Sequence, residues 1–498
     1  MLLSKSVEHE FIVQDTIEIR DYQINLAQQA KTENSLIILP TGLGKTTIAL
    51  HVIADCLTKR KGGILFLAPT RVLANQHYEF LKNTVRLDDI TLITGEDLLA
   101  KRKKLWINSI ICATPEIVRN DIIRKIVDVS QFSLVIFDEA HRAVGDYAYT
   151  TIAKQLNIDN TRILGMTATL PSEKEKAKEV CDNLHIKGIV ERSDSSPDVK
   201  PYIQNTITEW VKVDLPPEMK IIQRYIKLAQ DQRYTELRRN GLRLSDNKSL
   251  SQLLNARQFV LKQNRRSAKP LFTAIRITYA LNIFEAHGIT SFLKFCERTK
   301  IKKGAGIKEL FETDPNFTTA INLAKDAQAK GIEHPKIIKL DEILRNVESK
   351  VLIFSSYRDS VNVIHKKLID MNIHAEILIG KAGDTGLKQK KQVETVQKFR
   401  DGITKVLVTT RVGEEGLDIS EVNLVIFYDN VPSSIRFIQR RGRTGRKESG
   451  RLVVLIAKDT IDEAYYWIGQ RKIKSASNMA EKLSKHLEKT ERVIDDFF

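Results

Sequence analysis

The sequence predicts an α/β protein with two parallel-sheet units in tandem and a helical insert between them. Short, continuous apolar runs bounded by turn residues recur in the N-terminal and C-terminal parts, as expected for strands buried on both faces of a parallel sheet. Longer amphipathic stretches separate these runs, which is typical of helices that cover such a sheet. Residues 201–340 lack the runs and are rich in helical patterns instead.

Length and composition agree with this organisation. A chain of 498 residues should hold about three domains, because a single core stops growing near about 250 to 300 residues. We place their boundaries at residues 1–200, 201–340 and 341–498. The hydrophobic fraction of 42% and the charged fraction of 28% are ordinary for a globular protein. The net charge of +17 favours a polyanionic partner.

Cysteine usage and hydropathy exclude several classes of protein. The four cysteines form no C-x-x-C pair, which argues against a zinc or iron–sulfur site and against a disulfide framework. No apolar run approaches the length that spans a bilayer, and the N-terminus lacks a signal-peptide pattern. We therefore expect a cytoplasmic protein with no membrane partner.

A glycine-rich motif follows the first apolar run. The run ends at Leu39, where the general phosphate-loop pattern has glycine, and continues as Pro40-Thr-Gly-Leu-Gly-Lys-Thr46. The glycines let backbone N–H groups turn toward phosphate oxygens, and a helix that begins near Thr46 directs its positive end at them. Lys45 would neutralise the β- and γ-phosphates of ATP, and the Thr46 hydroxyl would bind Mg²⁺. The competing interpretation is a plain Gly-Lys turn. The residues assigned to the loop are Thr41, Gly42, Gly44, Lys45, Thr46 and Thr47.

Two adjacent carboxylates follow another apolar run, Leu134-Val-Ile-Phe137. Because ligands of parallel sheets bind beyond the carboxyl ends of the strands, we expect these carboxylates to lie near the phosphate loop. We assign Asp138 to Mg²⁺ and Glu139 to the base that deprotonates the attacking water. An acidic N-cap of the next helix is the alternative. Thr167-Ala-Thr169 offers hydroxyls that would bridge the acidic motif to the far side of a cleft.

The C-terminal unit carries the arginine-rich segment Gln439-Arg-Arg-Gly-Arg-Thr-Gly-Arg446. Its arginines recur every third residue and would share one helix face. A guanidinium that reaches the γ-phosphate from a second domain is the arginine-finger arrangement, whereas the alternative is a solvated basic helix that binds nucleic acid. Neither unit closes a nucleotide site alone, so we expect ATP between them.

Positive charge is concentrated in the insert. Residues 201–340 contain 25 lysines and arginines against 13 acidic residues. A charge run is usually only a solvated face, but this concentration favours a surface that grips phosphates. The candidate nucleic-acid contacts are Lys262, Arg265, Arg266 and Lys269. We expect the aromatic residues Tyr225, Tyr234 and Phe259 in the core rather than as stacking platforms for bases.

The order of these motifs resembles the core of superfamily 2 nucleic-acid helicases, which consists of two RecA-like domains and tolerates the departure at Leu39. The segments that carry the resemblance are Arg20-Asp-Tyr-Gln23, the phosphate loop, Ala68-Pro-Thr-Arg71, Thr114-Pro-Glu116, Asp138-Glu-Ala-His141, Thr167-Ala-Thr169, Val408-Thr-Thr-Arg-Val-Gly-Glu-Glu-Gly-Leu-Asp-Ile419 and Gln439-Arg-Arg-Gly-Arg-Thr-Gly-Arg446.

The resemblance implies roles for individual residues. Gln23 would read the adenine edge with Arg20 nearby, and Gly416 and Asp418 would face the nucleotide. Arginine-finger roles would fall to Arg443 and Arg446, supported by Gln439. The residues implied to touch the nucleic-acid backbone are Thr70, Arg71, Thr114, Pro115 and Thr410.

The motif sequences resemble those of archaeal Hef and the Fanconi-M group, which carry a thumb-like insert at the same place. This implies an ATP-dependent DNA helicase or translocase that acts on forks and junctions, in association with the nucleoid. We further expect a nuclease, C-terminal or on a separate chain, and a sliding-clamp-type partner. Two alternatives stay open. One is a duplex-RNA-dependent ATPase of the RIG-I and Dicer group, and the other is a non-catalytic nucleic-acid-binding module whose conformation is set by bound nucleotide.

Overall fold

A computed structural model describes residues 6–59, 62–203, 206–246, 248–302, 304, 306–345, 347–380, 389–413, 422–433, 436, 438, 440 and 450–495. Within these ranges the chain builds a seven-stranded sheet and a six-stranded sheet. All strand pairs in both sheets are parallel. The fold is therefore two RecA-like domains with a helical insert, as the sequence predicts.

The strands of the first sheet have the order β3-β4-β2-β5-β6-β1-β7. They are β1 (Ser35–Ile38), β2 (Gly63–Leu67), β3 (Ile90–Ile93), β4 (Ile110–Ala113), β5 (Phe132–Asp138), β6 (Arg162–Thr167) and β7 (Gly188–Glu191). Successive residues of β1 enter opposite cores, since Leu36 belongs to the same hydrophobic cluster as Val135 and Ile37 to the cluster that contains Ile136. Burial on both faces explains why these strands are continuous apolar runs.

The second sheet has the order β10-β11-β9-β12-β13-β8. Its strands are β8 (Thr206–Val213), β9 (Val351–Phe354), β10 (Ala375–Leu378), β11 (Val406–Thr409), β12 (Leu424–Phe427) and β13 (Gly450–Ala457).

Helices cover both sheets and form the insert. The described α-helices are α1 (Asp21–Ala30), α2 (Lys45–Lys59), α3 (Arg71–Thr84), α4 (Leu99–Leu105), α5 (Pro115–Ile123), α6 (Ala148–Ala153), α7 (Lys174–Asn183), α8 (Pro217–Arg239), α9 (Leu250–Gln263), α10 (Ala268–Lys300), α11 (Pro315–Ala329), α12 (Pro335–Leu344), α13 (Arg358–Asp370), α14 (Gln389–Arg400) and α15 (Ile461–Asp495).

Strand β8 corrects one expectation. We predicted no sheet strand within residues 201–340, yet β8 pairs with β13 along its whole length, from Thr206 opposite Gly450 to Val213 opposite Ala457. It lies at the edge of the sheet, and Ile207 and Trp210 are exposed. An edge strand open to solvent needs no continuous apolar run, so the criterion used for buried strands missed it. The helical part of the insert begins at Pro217.

The insert is built around two long helices, α8 and α10. Helix α10 breaks at Gly288, whose φ of 85° is in the left-handed region. A Cβ at this position would lie 2.9 Å from the Cβ of His334, so the break lets α12 approach α10 closely. Tyr234 is buried and Tyr225 packs against the core, as expected. The expectation is wrong for Phe259, which is 51% exposed on α9.

A buried ion pair joins the insert to the second domain. Lys336 of α12 and Asp462 of α15 are both fully buried, with 2.7 Å between Nζ and Oδ2. Lys336 Nζ also donates to the carbonyl of Tyr428 at 2.8 Å, and Asp462 Oδ1 accepts from the Asn430 N–H at 2.9 Å. Glu285 of α10 accepts from the Ile461 N–H at 2.7 Å. Insert, second sheet and α15 are thus held at one point.

Helix α15 also reaches the first domain. Leu483 lies in a hydrophobic cluster of the first sheet, and Met479 packs against the same cluster. In the opposite direction, Val72 of α3 packs against a cluster of the second sheet. The two domains therefore touch through apolar contacts at two places. No helix in the described part of the chain is long and apolar enough to cross a membrane.

Loss of the Lys336 ammonium should destabilise the second domain strongly. We expect Lys336→Met to lower the free energy of unfolding by about 3 to 5 kcal/mol, because Asp462 remains buried without its cation. Asp462→Asn in the same chain should recover part of this loss. The measurement is urea denaturation followed by circular dichroism. Arg451→Ala, which breaks the exposed pair with Glu209, is the control and should cost less than about 1 kcal/mol. Equal costs for the two variants would contradict this assignment.

Candidate functional site

The phosphate loop connects β1 to α2 at the carboxyl end of the first sheet. Gly42 and Gly44 have φ angles of 89° and 77°, which only glycine adopts freely. Helix α2 begins at Lys45, so its first N–H groups face the loop. Lys45 Nζ donates to the carbonyl of Leu39 at 2.9 Å, which places the ammonium inside the turn. Thr41, Thr46 and Thr47 flank it in the loop and the first turn of α2.

Gln23 lies beneath the loop rather than apart from it. Its Nε2 donates to the carbonyl of Leu43 at 3.0 Å, and the Tyr22 hydroxyl donates to the same oxygen at 2.7 Å. A Cβ at Gly44 would lie 2.3 Å from Gln23 Nε2, and the φ of 77° at this position would strain any other residue. Arg20 pairs with Glu18 at 3.2 Å and lies over the ring of Tyr202. The adenine-reading roles of Gln23 and Arg20 remain predictions.

Asp138 ends β5 and lies within the core of the site. Its Oδ2 is 2.9 Å from Nε2 of His77, a residue of α3. Burial would raise the pKa of the Asp138 carboxyl, but the His77 hydrogen bond and the charges of His77 and Lys45 lower the pKa below its ordinary value. The carboxylate is therefore ionised at neutral pH. An ionised, hard oxygen donor suits Mg²⁺, so the assignment of Asp138 as its ligand fits the side chains present.

Glu139 has a left-handed backbone conformation, with φ of 50° and ψ of 48°. Glu139 is only 9% exposed, and its Oε2 has no hydrogen-bond partner among the described residues. His141 Nδ1 is 3.2 Å from this oxygen, without the geometry of a hydrogen bond. A buried carboxylate oxygen without a bonded partner is available to accept a proton from water.

His141 connects the acidic motif to Thr167. The distance between His141 Nδ1 and Thr167 Oγ1 is 2.9 Å, and Thr167 Oγ1 donates to the carbonyl of Thr169 at 2.9 Å. The Thr169 hydroxyl donates to the carbonyl of Leu170 at 3.2 Å. Of the two hydroxyls expected to bridge the acidic motif, the structure brings Thr167 to it.

The implied nucleic-acid contacts lie at the starts of helices and ends of strands. Thr70 caps α3 by accepting from the Leu73 N–H at 3.3 Å, and Arg71 forms an ion pair with Glu96. Thr114 and Pro115 begin α5 after β4. Thr410 follows β11 and is buried, with 7% of its surface exposed. These positions share the carboxyl edges of the sheets, and their contact with a nucleic-acid strand remains a prediction.

Five predicted residues fall outside the described part of the chain: Gly416, Asp418, Gln439, Arg443 and Arg446. Their neighbour Arg440 is described and is fully buried. Its guanidinium donates to the carbonyl of Asp429 at 3.1 Å and to Ser356 Oγ at 3.2 Å, and it lies over the ring of Phe354. Arg440 is thus held at the carboxyl ends of β9 and β12.

Sequence reasoning missed Arg440 and His77. Arg440 belongs to the arginine-rich segment, but the sequence alone does not tell which of these arginines is buried in the domain and which would reach the nucleotide. His77 lies six residues beyond Arg71, the last residue of the strand-contact motif, and only the fold brings it to Asp138. Its spacing from Thr70 offered no signal of this partner.

The basic residues of the insert differ in their surroundings. Lys262, Arg265 and Arg266 are exposed and have no carboxylate partner among the residues that the structure describes. Lys269 forms an ion pair with Glu309, 2.6 Å apart. The first three therefore offer more free positive charge than Lys269, and the exposed Phe259 is on the helix that leads to them.

The two α/β units match known domain families. Residues 20–177 match the family described as DEAD/DEAH box helicase, and residues 335–448 match the helicase conserved C-terminal domain. The solved helicase domain of Pyrococcus furiosus Hef is 36% identical to this chain, with a TM-score of 0.66. The alignment covers 90% of this chain and 97% of that structure.

Curated relatives match nearly all of this chain but are longer. A Methanocaldococcus jannaschii protein, provisionally named an ATP-dependent RNA helicase, is 38% identical over 92% of this chain and 60% of its own length. A Pyricularia oryzae protein named an ATP-dependent DNA helicase is 34% identical, over 90% and 44%. The Mus musculus homolog of the Fanconi anemia group M protein is 31% identical, over 90% and 25%. The chain thus spans between a quarter and three fifths of these relatives.

Proposed function

Because this chain belongs to the Hef and Fanconi-M group of superfamily 2 helicases, we propose that it is an ATP-driven motor that moves along branched DNA. The observation that carries the proposal is the pair of buried carboxylates beside the phosphate loop. Asp138 is ionised and interacts electrostatically with Lys45, and Glu139 presents an oxygen without a bonded partner. A simple turn or an acidic helix cap requires neither feature.

The loop and the carboxylates divide the chemistry of ATP hydrolysis between them. Backbone N–H groups of Gly42 and Gly44 and the ammonium of Lys45 bind the phosphates. Thr46 and Asp138 would hold Mg²⁺, which neutralises phosphate charge when bound. Glu139 accepts a proton from the attacking water. After phosphate departs, Glu139 releases this proton to solvent water. His141 connects the acidic motif to Thr167 through the 2.9 Å contact between Nδ1 and Oγ1, so a change in the position of one would move the other.

The second domain completes the site. Arg443 and Arg446 would reach the γ-phosphate from the segment that Arg440 anchors to the second sheet. Gln439 would support them, and Gly416 and Asp418 would line the nucleotide from the same domain. Binding of ATP would draw the domains together, and loss of the γ-phosphate would release them. The division into three domains at residues 200 and 340 is part of this proposal, with strand β8 assigned to the second sheet.

Movement follows if the two domains hold one strand alternately. Thr70, Arg71, Thr114 and Pro115 would hold the backbone from the first domain, and Thr410 would hold it from the second. The exposed positive charges of Lys262, Arg265 and Arg266 in the insert would bind a neighbouring arm of a fork or junction. Relatives named as DNA helicases favour DNA as the polymer. A nuclease and a sliding-clamp-type protein as partners, and association with the nucleoid, rest on the resemblance to Hef.

The substrate is tested by comparing ATP turnover with forked DNA, linear duplex DNA, single-stranded DNA and duplex RNA. We expect forked DNA to stimulate turnover most strongly, because it alone offers both a tracking strand and a second arm for the insert. Strongest stimulation by duplex RNA would contradict the choice of DNA. No turnover with any polymer would contradict the motor itself.

Replacing Glu139 with its neutral isostere separates ATP binding from hydrolysis. Glu139→Gln should bind ATP about as well as the original chain while its turnover falls by about 10² to 10⁴-fold, because the water loses its base. Equilibrium binding of a fluorescent ATP analogue and a phosphate-release assay measure the two effects. Glu175→Gln, an exposed glutamate of α7, is the matched control and should hydrolyse normally. Near-normal turnover by Glu139→Gln would show that the base is another group.

The insert is tested through the salt dependence of DNA binding. The triple variant Lys262→Ala, Arg265→Ala, Arg266→Ala should reduce the slope of log affinity against log salt by about 2 to 3, because three phosphate contacts are lost. Fluorescence anisotropy with forked DNA gives the slope. Lys174→Ala, Lys176→Ala, Lys178→Ala on α7 removes the same charge from exposed positions of the first domain and should leave the slope nearly unchanged. Equal slopes for the original chain and the insert variant would exclude this role.

A further inference from the structure

Helix α3 touches three parts of the proposed motor. Its N-cap Thr70 and first residue Arg71 are the expected contacts to the tracking strand. Val72, the next residue, packs against the hydrophobic cluster of the second sheet. Five residues later, His77 lies 2.9 Å from the carboxylate of Asp138. One rigid element therefore reaches from the strand contacts and the domain interface to the carboxylate beside the phosphate loop.

The His77 side chain has little freedom of its own. It is 7% exposed, and its ring stacks on Phe66 of β2 with 4.2 Å between ring centroids and 28° between planes. Phe66 pairs with Ile136 of β5, the strand that delivers Asp138. Because the ring is packed in this way, the position of Nε2 follows the position of α3 rather than an independent rotation of the side chain.

We propose that His77 is a positioning residue that sets the orientation of the Asp138 carboxylate, and that α3 thereby links strand contact and domain closure to metal binding. This inference rests on the proposed function. His77 contacts Oδ2 of the Asp138 carboxylate, which also accepts a hydrogen bond from the Glu139 backbone N–H. Residues that hydrogen-bond to a metal-binding carboxylate orient it, and their loss typically costs about 10 to 100-fold in metal affinity. A hydrogen bond weakens as its length and angle depart from their preferred values, so a movement of α3 relative to β5 would alter the His77–Asp138 pair.

A purely structural pair is the competing explanation. A buried histidine and carboxylate could hold α3 onto the sheet without any effect on ligands. The two explanations differ in what the pair controls. A structural pair affects folding and the whole site together, whereas a positioning pair affects the Mg²⁺-dependent part of nucleotide binding and leaves metal-free binding intact.

The test compares three replacements of His77. His77→Leu removes the donor and keeps apolar packing against Phe66, His77→Asn keeps polarity but is too short to reach Asp138, and His77→Gln places an amide N–H near the position of Nε2. Equilibrium binding of a slowly hydrolysed fluorescent ATP analogue is titrated with Mg²⁺ and repeated in EDTA. Tyr78→Phe, at the next position of α3, is the control.

We expect His77→Leu and His77→Asn to raise the half-saturating Mg²⁺ concentration by about 10 to 100-fold, with unchanged affinity in EDTA. His77→Gln and Tyr78→Phe should stay within a few-fold of the original chain. The proposal would be overturned if the half-saturating Mg²⁺ concentration were unchanged in His77→Leu or in His77→Asn, provided that the variant folds. An equal loss of affinity with and without Mg²⁺ would also overturn it, in favour of the structural explanation.

The link to domain closure has its own variant. Val72→Ala shortens the contact of α3 with the second domain while leaving His77 and Asp138 in place. We expect it to reduce the stimulation of ATP turnover by forked DNA several-fold without moving the Mg²⁺ half-saturation measured in the absence of DNA. Full stimulation in Val72→Ala would contradict the link. Absence of any Mg²⁺-dependent nucleotide binding in the original chain would instead overturn the proposed function, so the two failures are distinguishable.

Discussion

The parallel direction of every described strand pair is the constraint on which the rest of this molecule depends. Parallel strands carry all their carboxyl ends to one edge of a sheet, and the loops that follow them meet there. In the first sheet this edge gathers the phosphate loop after β1, the carboxylates after β5 and Thr167 at the end of β6. Residues that are distant in sequence thereby reach hydrogen-bond distance, as His141 and Thr167 do although they are 26 positions apart.

The second sheet repeats the arrangement but holds different chemistry. Its carboxyl edge carries Arg440, whose guanidinium is buried between backbone and aromatic rings. The same edge, through Tyr428 and Asn430, meets the buried Lys336 and Asp462 that connect the insert and α15. The insert therefore contacts the second domain close to Arg440. Helix α15, which the insert also contacts, packs against the first domain, so the insert is connected to both domains of the proposed site.

Much of the fold could be predicted from the sequence because strands buried on both faces of a parallel sheet are short, continuous apolar runs. The runs at Leu134-Val-Ile-Phe137 and Leu424-Val-Ile-Phe427 both form central strands, and the phosphate loop lies where its glycines require. Edge strand β8 was missed because only one of its long sides is paired and its residues alternate. Phe259 was misplaced because hydrophobicity alone does not tell a core residue from an exposed one on an amphipathic helix.

The site could be predicted only where one short segment carries the chemistry. Lys45, Asp138 and Glu139 each belong to such a segment, and the structure gathers them at the carboxyl edge of the first sheet. The pairing of His77 with Asp138 depends on how α3 packs across β2, and this is a tertiary contact between residues 61 positions apart. Likewise, the buried state of Arg440 depends on the rings of Phe354 and Phe427, which belong to separate strands.

A nucleotide site shared by two domains is the central claim, and the distance between the domains upon nucleotide binding tests it most directly. Spin labels at Lys104→Cys and Lys366→Cys would lie on exposed positions of the two domains, while the native cysteines are buried. Pulsed electron paramagnetic resonance would then report the distance with and without Mg²⁺ and a non-hydrolysable ATP analogue. The account predicts a shift to a new distance that Lys45→Ala abolishes. An unchanged distance distribution while the analogue is bound would contradict it.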